Sequence, residues 1–138
     1  MADIIFGVDY GDARTGLARG MDGFAFGAGC VRCDGMKKTA AAVAEAAKAA
    51  GARLIVVGNP INMNGTEGPR SEKCRAFANM LAEMSGIPVE LYDERLTTVS
   101  AHNLLSEMNV RGKKRKNTVD ELSAVLILQD YMERRKNT

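Results

Sequence analysis

The stretch Ile4–Thr15, IIFGVDYGDART, decides how the rest of the chain is read. Ile4 to Asp9 is rich in β-branched and aromatic residues and ends in glycine-punctuated polar sequence, the pattern of a buried strand running into a turn. Its carboxylate, Asp9, stands where an unpaired charge costs several kcal/mol (about 3 to 5). A strand that carries such a residue at its end needs something to offset the charge.

Outward from this strand, glycines at 11, 16 and 20 mark a turn and a second short strand, TGLAR, and FAFGAGCVRC reads as a third, so the chain opens as a β-meander. Lys37 to Ala50 is nearly pure helix former, and Gly51 stands at the left-handed C-cap position. RLIVVG is a uniformly apolar run suited to an interior strand. After the polar stretch NPINMNGTEGP, Pro69 occupies the first helical position, Cys74, Phe77, Leu81 and Met84 mark one face, and Gly86 and Pro88 end the helix. VELYDE is a further strand. TTVSAHNLLSEM predicts a helix with Ala101, Leu104, Leu105 and Met108 on one face. VRGKKRK reads as a solvated loop. Thr118 and Glu121 then form a capping box ahead of a last helix with Leu122, Val125, Leu126, Gln129 and Met132 inward. Strands first, then strands alternating with helices, predict an α/β fold with a mixed central sheet flanked by helices.

The chain has 138 residues, and 1–138 is expected to form a single domain. No apolar run approaches the roughly 18 residues of a membrane span, and the N-terminus lacks a basic region and cleavage site. The expectation is a soluble, unprocessed cytoplasmic protein with no membrane partner. Three cysteines without dense spacing predict reduced thiols. Cys30 and Cys33 form a C-x-x-C, but no second pair follows and alternation on a strand points them apart, against zinc or redox use. Cys74 reads as core, and His102, the one histidine, stands apart from the acids.

Net charge is only +2, yet its distribution is uneven: residues 1–110 carry 11 Lys/Arg and 13 Asp/Glu, residues 111–138 carry 8 and 4. A basic C-terminal part suits nucleic acid.

Asp9, Glu94 and Asp120 all fall at element ends, where the carboxyl edge of a sheet builds its sites. Converging there, they form a hard oxygen site for Mg²⁺ or Mn²⁺ of the kind that hydrolyses phosphodiesters. Each also has an ordinary reading: Asp120 on a helix dipole, Glu94 paired with Arg95, Asp9 capping a turn. Spacing alone leaves both open.

FGVDYGDARTGLA, VVGNPINMNGTEGP, YDERLTT and KKRKNTVDELSAVLILQDY resemble, in that order, the motifs of the YqgF family, also called RuvX, known as pre-16S rRNA nucleases and earlier as Holliday junction resolvases. The resemblance covers essentially the whole chain. It implies an RNase H-like fold, a cytoplasmic metal-dependent nuclease that matures the 5′ end of 16S rRNA in ribosome biogenesis, and Asp9, Glu94 and Asp120 as catalytic and metal-binding acids. Because neighbouring strand residues face opposite ways, only one of Asp93 and Glu94 readily enters the site, and Glu94 is preferred. Two positions depart from the family pattern: Asp12 follows DYG, and GNP stands where GLP is common.

Around these acids, Arg14 and Arg95 are candidates to fork a phosphate, or else surface ion pairs. Asn62, Asn64, Gly65, Thr66 and Arg70 precede a helix and suit a backbone phosphate. Arg111, Lys113, Lys114, Arg115 and Lys116 offer contacts without sequence readout. The expected partner is RNA, as precursor 16S rRNA or a pre-ribosomal particle, met by a monomer or weak homodimer. The alternatives are branched DNA cut at four-way junctions and an RNA-binding factor that does not cut. GVDYGDARTG also resembles the phosphate loop of the actin and sugar-kinase fold, but those proteins use two such domains, more than 138 residues can hold.

Overall fold

The structure, a computed structural model, describes residues 3–60, 65, 68–93 and 112–136, with side chains in the last stretch from Asp120 to Arg135. Three strands come first: β1 (Ile4–Tyr10), β2 (Arg14–Met21) and β3 (Phe24–Arg32). There follow α1 (Met36–Ala50), β4 (Ala52–Asn59), α2 (Pro69–Ser85), β5 (Val89–Asp93) and α3 (Gly112–Lys136). The sheet has the order β3-β2-β1-β4-β5. β1 pairs antiparallel with β2 and parallel with β4; β2–β3 is antiparallel and β4–β5 parallel. This is the mixed sheet that the meander and the later alternation predict.

Two cores form on opposite sides of it. Phe6, Val8, Leu17, Ile55 and Val57 face α1 and α2, where they meet Val43, Phe77 and Leu81. Ala18 and Val56 face α3 and its Ala124, Ile127, Leu128 and Met132. The expected boundaries of α1 and α2 agree with the structure: Gly51 caps α1 in the left-handed region (φ 75°), Pro69 opens α2, and Gly86 (φ 70°) closes it. Alanine-rich α1 buries Ala40, Val43, Ala44 and Ala47, one stripe at helical spacing. Beside it the Tyr10 and Phe77 rings stack at 4.1 Å.

The last helix departs from expectation in two ways. It begins at Gly112, so residues 112–116 of the basic run expected as a loop are its first turns, and Asp120 lies on its third turn. Lysine and arginine are strong helix formers, and one glycine, costing about 1 kcal/mol, does not stop a helix that a core holds downstream. Glu121 accordingly caps nothing: its carboxylate accepts the Gly29 N–H at 2.7 Å. The inward face is also rotated. Ser123, Ala124, Ile127, Leu128 and Met132 are buried, while Leu122, Val125, Leu126 and Gln129 are half-buried. The stretch LSAVLIL is apolar nearly all round, so its period does not choose a face. The sheet chooses instead, because a Cβ at Gly7 would lie 2.8 Å from the Leu128 Cβ and 3.1 Å from the Ala124 carbonyl oxygen.

The helix expected over 97–108, with His102, lies outside the described residues. Among those described, no helix is long and apolar enough to cross a membrane.

Candidate active site

Asp9 occupies an odd position of β1, on the face that Ile5 and Gly7 turn toward α3. Its partner across β2 is Gly16. A Cβ built on Gly16 would stand 1.8 Å from the backbone oxygen of Asp120. Only glycine therefore lets α3 settle here, and that seat brings Asp120 beside the strand pair that carries Asp9.

Asp120 is 28 % exposed at its side chain, and its Oδ2 accepts from the Arg14 Nε at 3.3 Å. Burial raises its pKa from the ordinary carboxylate value, with the Arg14 hydrogen bond and charge pulling the other way. The helix-dipole reading of Asp120 fails, since that field decays within the first turn. Of the two readings of Arg14, the ion pair is the one observed.

Across the sheet from Gly16 lies Cys30. Its thiol is pushed up chiefly by burial and next by the charge of Asp120. Cys33 lies past the strand end, where its Sγ donates to the Gly11 carbonyl at 3.2 Å and sits 3.1 Å from the Thr15 hydroxyl. The charge of Cys33 also reaches the Cys30 thiol and raises it further. Cys74 is core, as expected.

Arg70, on the first turn of α2, donates to Asp12 at 2.9 Å and to the Tyr10 carbonyl at 3.3 Å. Asp12, one of the two departures, is therefore an exposed partner that draws the start of α2 to the turn after β1. The other departure, Asn59, is buried at the end of β4, and its Oδ1 accepts from the Ser71 hydroxyl at 2.7 Å. A leucine there could not make this bond.

On β5, Val89 and Leu91 pack toward α2, while Tyr92 bonds Asp130 of α3. Alternation then gives Asp93 the face opposite Asp9. Glu94, Arg95, Asn62, Asn64, Thr66 and Arg111 lie outside the described residues, as do the side chains of Lys113, Lys114, Arg115 and Lys116, whose backbone is helical. The structure thus pairs Arg14 with Asp120 and seats the Asp120 backbone on Gly16, the cross-strand partner of Asp9. Among the described residues no group of three His, Cys, Asp or Glu could hold a metal.

The donors that are described suit a hard cation: two carboxylates at one end of one sheet face, one of them desolvated and held by a single guanidinium. Sequence reasoning missed the seat at Gly16. Its signal is a set of glycines at 7, 16, 20 and 27, all on the face that receives α3.

Solved structures with this architecture include Thermus thermophilus RuvC in complex with a Holliday junction substrate (TM-score 0.60, 16 % identity, 99 % of this chain and 97 % of that one). Another is the fowlpox virus resolvase with Holliday junction DNA (TM-score 0.55, 13 % identity, 96 % and 98 %). At such identities the likeness concerns the fold, and that fold is RNase H-like.

A family model described as RuvX, Holliday junction resolvase, matches residues 3–134, and the chain belongs to that family. A relative from Ruminiclostridium cellulolyticum is 41 % identical over 133 residues, 94 % of each chain. One from Thermoanaerobacter pseudethanolicus is 40 % identical over 136 residues, 96 % of this chain and 98 % of its own. Both carry the name "Putative pre-16S rRNA nuclease".

Proposed function

We propose that this chain is a metal-dependent nuclease that hydrolyses phosphodiesters of precursor 16S rRNA in 5′-end maturation, a cytoplasmic step of ribosome biogenesis. The observation that carries the reading is the seating of Asp120 on Gly16, the cross-strand partner of Asp9, at one end of the α3 face. Family membership and the names of the relatives support the substrate. Asp9 and Asp120, with Glu94 as third acid, are the residues to hold Mg²⁺ or Mn²⁺. Such an ion, when bound, activates the attacking water and stabilises the leaving oxygen.

The remaining roles belong to this chain's own cations. Arg14, Arg70 and Arg95 suit forked contacts to phosphate. Asn64 and the basic start of α3, with Arg111 ahead of it, add backbone contacts that carry affinity without sequence information. The Arg70–Asp12 bond is exposed, and pairs of that kind are worth only about 0.2–1 kcal/mol, so phosphate can displace Asp12.

Purified protein is expected to cut a precursor 16S rRNA 5′-end fragment with Mg²⁺ or Mn²⁺ and to stop in EDTA. Asp9→Asn should abolish cutting while the circular dichroism spectrum and melting temperature stay close to wild type. Cutting by the variant at the wild-type rate sinks the assignment. A second reading, resolution of four-way DNA junctions, is favoured by the family description and the likeness to junction-bound RuvC. A four-way junction in the same assay separates the two: preferential, paired nicking of the junction overturns the RNA reading.

A further inference from the structure

The geometry points to Arg14 as an exchangeable internal cation: it holds Asp120 while the metal ion is absent and passes to a substrate phosphate when the ion binds. The inference rests on the proposed metal reading and adds to it an ordered coupling between ion and nucleic acid.

Three observations carry it. Asp120 sits where the backbone of α3 lies hard against Gly16 of the sheet, and its carboxylate is partly removed from water and needs a counter-charge. Arg14 supplies that charge through a single contact, Nε to Oδ2 at 3.3 Å, longer than the about 2.7–2.9 Å of a strong charge-assisted bond. The guanidinium is 23 % exposed and uses only Nε, so among the described residues its two terminal nitrogens make no hydrogen bond. A fork with one tine loosely engaged is easily turned. Its free edge is the one that binds phosphate in bidentate fashion.

A dication at Asp120 replaces Arg14 as counter-charge and repels it. The freed guanidinium stays at the start of β2, one strand from Asp9, and meets the substrate phosphate there. Because coupling is reciprocal, phosphate on Arg14 strengthens metal binding by the factor by which metal strengthens phosphate binding. The ion is then held firmly only with substrate present.

Mn²⁺ affinity measured from the free-ion electron paramagnetic resonance signal tests this without any turnover. Arg14→Gln should bind Mn²⁺ roughly fivefold tighter than wild type, the scale of losing a half-exposed competing ion pair, while Arg14→Lys, which keeps the charge, stays near wild type. Adding a 5′-phosphorylated RNA trinucleotide should tighten Mn²⁺ binding to wild type and have little effect on Arg14→Gln. In ¹⁵N spectra, Mg²⁺ should move the Arg14 Nε–H resonance to that of a solvent-exposed group. Equal or weaker Mn²⁺ binding by Arg14→Gln, with wild-type binding intact, overturns the exchange and makes Arg14 a fixed brace. If wild type binds no Mn²⁺, or Asp120→Asn binds it as well as wild type, the metal reading itself fails and the exchange with it.

Discussion

The seat of Asp120 sets two opposing demands on single residues. Gly16 must lack a side chain, since a Cβ would stand 1.8 Å from the Asp120 carbonyl oxygen, which is backbone and cannot swing aside. Gly16→Ala is expected to cost about 3 kcal/mol in urea unfolding, the upper range for overpacking, and to slow cleavage further by lifting Asp120. Gly51→Ala, with open space around it but φ at 75°, should cost only about 1 kcal/mol and leave cleavage alone. Comparable losses of cleavage in the two would refute the seat. Asp120 itself works against the fold. Its pKa is raised by burial despite Arg14, so the folded state holds the proton more tightly than the unfolded one. That contribution is favourable below the unfolded pKa and is lost as pH rises through the folded value. Metal-free Asp120→Asn should therefore melt higher than wild type at neutral pH, with the gain vanishing below about pH 3, where both side chains are neutral. A lower melting temperature at neutral pH would mean that the Arg14 bond outweighs burial.

At the scale of elements, α3 secures the sheet at both of its edges. At β3 and the turn before it, the Gln129 amide donates to the Gly23 carbonyl and accepts from the Ala25 N–H, each at 2.9 Å, while Glu121 takes the Gly29 N–H. These side chains satisfy backbone groups that an edge strand otherwise offers to other chains. On β5, Tyr92 bonds Asp130, and the Tyr131 hydroxyl donates to Glu90 at 2.6 Å. Gln129→Ala is expected to lose about 1–2 kcal/mol in urea unfolding, since it orphans a donor and an acceptor together. A neutral result would mean that water replaces the amide without cost. How legible these elements were depended on what competes with local pattern. β1 to β5, α1 and α2 could be read because glycine, proline and apolar periodicity agree there. The start of α3 could not, because a basic run and a glycine suit a loop as well as a helix, and only the downstream core decides. Its face could not either, because LSAVLIL satisfies several faces and the glycines of the sheet select one. Of the candidate site, Asp120 was expected in the first turn of its helix and lies on the third, while the place of Asp9 near its strand end was legible. The Arg14–Asp120 bond was not, since 106 residues separate its partners.

At the scale of the molecule, the described residues form one sheet with two cores, and only one of them carries the proposed chemistry. Phe77 is fully buried between the sheet and α1, on the face away from the acids, and Leu128 is fully buried beneath α3, against Gly7 and Gly20. The two cores share β1, β2 and β4, so loss of either should lower the stability of the whole in one cooperative transition. Phe77→Ala is expected to cost about 3–5 kcal/mol and Leu128→Ala about 2–5 kcal/mol, by lost burial and the cavity left behind. Their effects on cleavage should differ. Leu128 lies two turns from Asp120 on the same helix, so a void beneath it lets α3 shift and moves an acid relative to Asp9. Phe77 stacks on Tyr10, next to Asp9 in sequence, but from the opposite face of a strand end that pairing with β2 holds in place. Single-turnover cleavage, at a temperature where both variants remain folded, should fall at least tenfold more in Leu128→Ala than in Phe77→Ala, about 1.4 kcal/mol of barrier. Equal losses would mean that the site follows global stability and that α3 has no separate part in placing Asp120.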